Sequence, residues 1–76
     1  MKLNEGLRFI CENKKVIIFI ACDGSIFIRR NYSEYESQIS VAYSGELDEE
    51  GIQIVKSLLK RHCISNGTEY EFNYES

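Results

Sequence analysis

The chain has no proline, one histidine and three cysteines among its 76 residues. With no proline, no internal repeat and no low-complexity stretch, nothing marks a linker, and residues 1–76 read as a single compact domain. The longest uninterrupted apolar run, Val16–Cys22, is far short of the ~20 residues that a bilayer-crossing helix needs. No membrane association is expected. The opening segment Met1–Gly6 has no apolar core and does not read as a signal peptide, so a cytoplasmic protein is the expectation. Cys11, Cys22 and Cys63 are odd in number and lack C-x-x-C spacing, which argues against a disulfide framework and against a zinc site. They read as free thiols packed as small hydrophobes.

The residues of a catalytic kit are also missing. The five glycines form no G-x-G-x-x-G, no G-x-x-x-x-G-K and no G-x-S-x-G, so neither a phosphate-binding loop nor a nucleophile elbow is present. His62 and Cys63 are adjacent, but neighbours on a helix point about 100° apart and cannot act on each other as nucleophile and base. Asp48, Glu49 and Glu50 lack the alternating pattern and glycine of a calcium loop, and suit a helix start better. The expectation is a protein with no catalytic residues, no metal and no cofactor, and not an enzyme.

Bases are absent from one long stretch. Residues 1–30 hold Lys2, Arg8, Lys14, Lys15, Arg29 and Arg30 against Glu5, Glu12 and Asp23. Residues 31–50 hold Glu34, Glu36, Glu46, Asp48, Glu49 and Glu50 and no base. The net charge is −3. An acidic total repels phosphate, which makes nucleic acid an unlikely partner.

What the chain does have is a hairpin signal. Val16–Ala21 and Ser25–Ile28 are β-branched and aromatic runs joined across Asp23-Gly24, the strongest short-range hairpin signature. A two-residue loop at Asp23-Gly24 pairs Ile20 with Phe27, Ile18 with Arg29, Phe19 with Ile28 and Ile17 with Arg30. Both faces are then apolar near the turn, which puts the hairpin in the middle of a sheet with cover on each side. Gln38–Ser44 alternates, with Ile39, Val41 and Tyr43 on one face, and reads as a third strand. Asn31–Ser37 is a polar, tyrosine-bearing loop. Residues 49–63 read as an amphipathic helix with Asp48 as N-cap, Leu47 and Ile52 at hydrophobic-staple positions and Ile52, Ile54, Val55, Leu58, Leu59 and His62 as its apolar stripe. Asn66-Gly67 reverses the chain. Thr68–Tyr74 alternates Tyr70, Phe72 and Tyr74 against charged or polar residues, as an edge strand would. Residues 3–12 fit a helix capped by Asn4 or a strand, with the helix preferred.

The fold class is therefore α+β: a small single domain with a three- to four-stranded antiparallel sheet, one long amphipathic helix (49–63) packed on it and a short N-terminal helix or strand. The order resembles that of double-stranded RNA-binding domains, which run helix, three strands, helix. The second helix here opens with Asp48, Glu49 and Glu50 in place of the basic cluster those domains use, so their RNA-binding role does not carry over.

Two surface groups stand out as candidate sites. Tyr32, Glu34, Tyr35 and Glu36, with Glu46, Glu49 and Glu50, would join tyrosine contact area to carboxylates and suit a basic surface on another protein. Lys14, Lys15, Arg29 and Arg30 fall at the open end of the hairpin and could take an anion or a nucleic-acid backbone. The first expectation is a non-enzymatic protein-binding module that occludes a basic, nucleic-acid-binding surface of its partner. In size, acidity and α+β profile the chain is similar to phage-encoded inhibitors such as anti-CRISPR proteins, and that similarity implies such occlusion. The second is a homodimer or larger homo-oligomer with a structural or regulatory role, since a domain this small buries only about 60% of its unfolded-chain surface. The third is nucleic-acid binding through the basic hairpin end.

Overall fold

The computed structural model describes residues 2–32, 38–42, 45 and 47–75. Six elements follow in chain order: α1 (Lys2–Glu12), β1 (Lys15–Ala21), β2 (Ile26–Arg29), β3 (Ile39–Ala42), α2 (Glu49–Asn66) and β4 (Glu69–Glu75). The α+β class is as expected from the sequence, and the N-terminal segment is the helix. It begins at Lys2, so Asn4 lies inside it and is not its cap.

The strands form one sheet in the order β3-β2-β1-β4. β1–β2 and β2–β3 are antiparallel, whereas β1–β4 is parallel. The sheet is thus mixed, not wholly antiparallel. The reason is parity: β3 runs with β1, α2 carries the chain back, and the next strand must run with β1 again. β4 sits at an edge, as its charged alternation predicts.

The hairpin register differs by one residue from the two-residue-loop reading. Ile20 pairs with Ile26, Phe19 with Phe27, Ile18 with Ile28 and Ile17 with Arg29. The loop has three residues, Cys22–Gly24, closed by a hydrogen bond from Ala21 N to Ser25 O at 2.9 Å and one from Gly24 N to Ala21 O at 3.1 Å. Gly24 takes φ 92°, the left-handed position that such a bulged turn requires and that favours glycine. The one-residue change moves every β2 side chain to the other face. Val16, Ile18, Ile20, Ile26 and Ile28 then share a face, while Ile17, Phe19, Phe27 and Arg29 share the other.

Both helices cover the first face. Ile10 of α1 and Leu59 and Cys63 of α2 join Val16, Ile18, Ile20, Ile26, Ile28 and Val41 in one buried cluster. α1 approaches closely at Gly6, where a Cβ would meet Val41 Cγ2 at 3.0 Å. The expectation of cover on each side is therefore not met by helices. In β3 the register shifts beside Ile26, and Ala42, which the alternation sets on the face opposite Ile39 and Val41, is buried together with Val41. Tyr43 and Ser44 lie outside the described residues.

α2 starts as expected: Asp48 Oδ1 accepts from Gly51 N at 2.7 Å. It runs one turn past residue 63, to Asn66. Gly67 at φ 74° ends it, with Thr68 N donating to Cys63 O at 2.9 Å, the closure of a Schellman motif. Thr68, buried, ties this end to α1. Its Oγ1 lies 3.2 Å from both Ile10 O and Asn13 O and accepts from Asn66 Nδ2 at 2.8 Å.

Candidate protein-binding surface

The hairpin turn and the start of α2 are held together. Gly45 N donates to Asp23 O at 2.8 Å. Gly24 lies so near the following segment that a Cβ there would be 2.5 Å from Leu47 O. The topology demands this meeting, since β3 runs antiparallel to β2 and so ends beside the turn where β2 begins. Asp23, Asp48, Glu49 and Glu50 are all exposed at this end. Asp23 accepts from Ser25 N at 3.0 Å and Asp48 caps α2, so both carboxylates are held in place. Asp48, Glu49 and Glu50 stand at the positive end of the α2 dipole, where negative charge is favourable.

Of the acidic group named from the sequence, Glu49 and Glu50 belong to this end, and Asp23 joins them. Sequence reasoning read Asp23 only as a turn residue; strand parity was the signal that places α2 beside it. Glu34, Tyr35, Glu36 and Glu46 lie outside the described residues. Tyr32 is elsewhere, beyond the far end of β2, and it meets Phe19 edge-on on the sheet face away from the helices, with ring centroids 6.1 Å apart.

The basic group is divided. Lys14 and Lys15 are exposed, with Lys15 in register with Glu69 of β4. Arg30, also exposed, borders a cleft with Phe9, Glu12 and Asn13. Arg29 is not on this surface: it is buried, its guanidinium lies over the Phe19 ring, and its Nε donates to Gln38 Oε1 at 2.6 Å. Because α2 runs away from the hairpin turn, Lys60 and Arg61, both exposed, lie toward the end that carries Lys14 and Lys15. The two ends of the molecule thus differ in charge.

His62 and Cys63 diverge on α2 as helix geometry requires. Cys63 is buried among the core residues, and burial pushes its thiol pKa up. His62 Nε2 instead lies 3.1 Å from Sγ of Cys11 on α1, a contact that no spacing within one helix could reveal. Among the described residues no other side chain hydrogen-bonds His62. Among the described residues, too, no three His, Cys, Asp or Glu side chains converge as metal ligands, and no helix is long and apolar enough to cross a membrane.

The fold and surface define a small α+β domain with a four-stranded mixed sheet, two helices on one face and an acidic end at the hairpin turn. No protein-family model, curated protein or solved structure matches the chain.

Proposed function

We propose that the protein is a non-enzymatic binding module whose acidic end seats on a basic surface of another protein, one that otherwise holds nucleic acid. The observation that carries this reading is the convergence of Asp23, Asp48, Glu49 and Glu50 where the hairpin turn meets α2. Carboxylates fixed by turn and cap geometry are ordered before binding. Complementary charge then steers encounter and sets register. An acidic module on a basic groove excludes nucleic acid by occupying its phosphate sites, which makes the module an inhibitor of its partner. Three unpaired thiols, Cys11, Cys22 and Cys63, suit a reducing compartment, and a cytoplasmic setting belongs to the same reading.

The test is a pull-down from nuclease-treated lysate of the native host, followed by titration of the purified partner. The expected result is a stoichiometric protein partner that loses its nucleic acid as the module is added. Replacing Asp23 and Asp48 with Asn and Glu49 with Ala should weaken that association and leave the far-ultraviolet circular dichroism unchanged, because Asn keeps the turn and cap hydrogen bonds that Asp23 and Asp48 accept. Glu50 stays in place because it also borders the helix face treated below. Unaltered affinity in the triple variant, or a partner that keeps its nucleic acid, would overturn the reading.

A further inference from the structure

The outward side of α2 carries apolar surface that the sheet does not use. Ile54 is 61% exposed, Leu58 38% and Ile64 62%, whereas Leu59 and Cys63 on the inward side are fully buried. The helix stripe expected to face the core is thus wider than the sheet beneath it. Ile54 and Leu58, one turn apart, share a shallow groove with Glu50, Gln53, Ser57 and Arg61. Along this strip the charges are ordered. Glu50 stands at the N-terminal end, Arg61 at the C-terminal end, and Gln53, Ile54, Ser57 and Leu58 between them are uncharged.

A strip of this kind is complementary to its own reversed copy. We infer that α2 pairs antiparallel with α2 of a second copy of the chain, as an isologous dimer. Setting Ile54 of one copy against Leu58 of the other places the twofold axis at the level of residue 56. Glu50 and Arg61 then lie roughly 9 Å and 8 Å from that axis, on opposite sides, at 1.5 Å per residue. Each Glu50 therefore meets the other copy's Arg61, and every contact is made twice. A parallel pairing would set Glu50 against Glu50 and Arg61 against Arg61. Any other helix would have to carry the same charge order to match. Ile64 flanks the strip beside Lys60 and Arg61, beyond the paired charges. Glu49 projects away from the strip, so the dimer leaves it accessible.

Sedimentation equilibrium of the full chain tests the pairing. The expected mass rises with concentration from 8.8 kDa toward twice that value. Leu58→Asp and, separately, Ile54→Glu should hold it at the monomer mass with unchanged circular dichroism. Both side chains are substantially exposed in the monomer, so at least one variant folds. Arg61→Glu alone should weaken dimerisation by roughly tenfold, because two ion pairs become two like-charge contacts. Adding Glu50→Arg to it should restore the original association. A monomer at every concentration overturns the inference. So does a dimer that survives both apolar substitutions, which would use another face, or a double charge swap that fails to restore association.

Discussion

The guanidinium carbon of Arg29 lies 4.2 Å from the centroid of the Phe19 ring. Arg29 is only 6% exposed although it sits on the sheet face that neither helix covers. Its stem and planar head cover the aromatic ring from above, Tyr32 meets the same ring at its edge, and Gln38 accepts one of its protons. A guanidinium is suited to this because it stacks on an aromatic face and is more weakly hydrated than an ammonium. Over Phe19 the open face of the sheet is thereby covered by a cation, and the basic group at the hairpin end loses one of its four members.

Arg29→Ala should lower stability by about 1–3 kcal/mol, from lost cation–π contact, lost stem packing and an orphaned Gln38 carbonyl. Arg29→Lys should recover only part of it, since an ammonium neither stacks flat nor reaches two sites at once. Urea unfolding followed by circular dichroism gives both numbers. A stability equal to wild type in Arg29→Ala would mean that Ile17 and Phe19 are held without it.

The same residue explains what the sequence could and could not disclose. Asp23-Gly24 identifies the hairpin, and β-branched content identifies the strands, because both are local properties. The loop length is not local. Two-residue and three-residue loops differ only in where Gly24 falls, yet that choice decides whether Arg29 opposes Ile18 or Ile17. A test was present in the residues: the three-residue loop sorts Ile18, Ile20, Ile26 and Ile28 onto one face, and the two-residue loop splits them, Ile18 and Ile20 with Arg29 and Ile26 and Ile28 with Arg30. The direction of β4 was likewise available from strand parity. The pairing of Cys11 with His62 and the unused apolar width of α2 were not, because each depends on how two elements dock. Of the acidic surface, Glu49 and Glu50 were readable as helix-start charges, while Asp23 joined them only through topology.

Gly24 and Gly67 separate two causes of glycine dependence. Both have positive φ, 92° and 74°. At Gly67 an added Cβ meets nothing within 4 Å, whereas at Gly24 it meets Leu47 O at 2.5 Å. Gly67→Ala should therefore cost only the left-handed backbone strain, about 1–2 kcal/mol. Gly24→Ala carries that strain and must also push the segment before α2 off the turn. It should cost more and speed hydrogen exchange at the Gly45 amide, which bonds to Asp23 O. Equal losses in the two variants, with Gly45 exchange unchanged, would show that the turn and that segment are not coupled.

Cys63 gives a pH dependence whose sign is fixed. Burial raises its thiol pKa in the folded chain, so the unfolded chain loses this proton at lower pH than the folded one. The contribution to stability is fully present below the ordinary thiol range and declines as pH rises through it toward the folded value. Urea midpoints measured under reducing conditions should fall with alkaline pH more steeply for wild type than for Cys63→Ala. In the native state a thiol reagent should titrate Cys11 and Cys22, which are exposed, and reach Cys63 only on unfolding. Parallel pH profiles for the two chains would show that Cys63 is ionised as easily folded as unfolded.

Association through the acidic end should be governed by long-range charge, and its rate tests that directly. Raising ionic strength from about 0.01 M to 0.15 M shortens the screening length from about 30 Å to about 8 Å. The association rate with a basic partner should then fall steeply, while dissociation changes little. Glu49→Lys should slow association further and flatten the salt dependence. Its cost in stability should stay near 0.3–1 kcal/mol, roughly the value of one charge at a helix N-terminus. Glu69→Lys makes the same charge change at the opposite end of the molecule, beside Lys15, and serves as the control. If net charge alone governed association, the two variants would slow it equally. If the end formed by Asp23, Asp48, Glu49 and Glu50 is the contact, only Glu49→Lys will do so strongly, because a charge at the far end is screened from the partner at physiological salt.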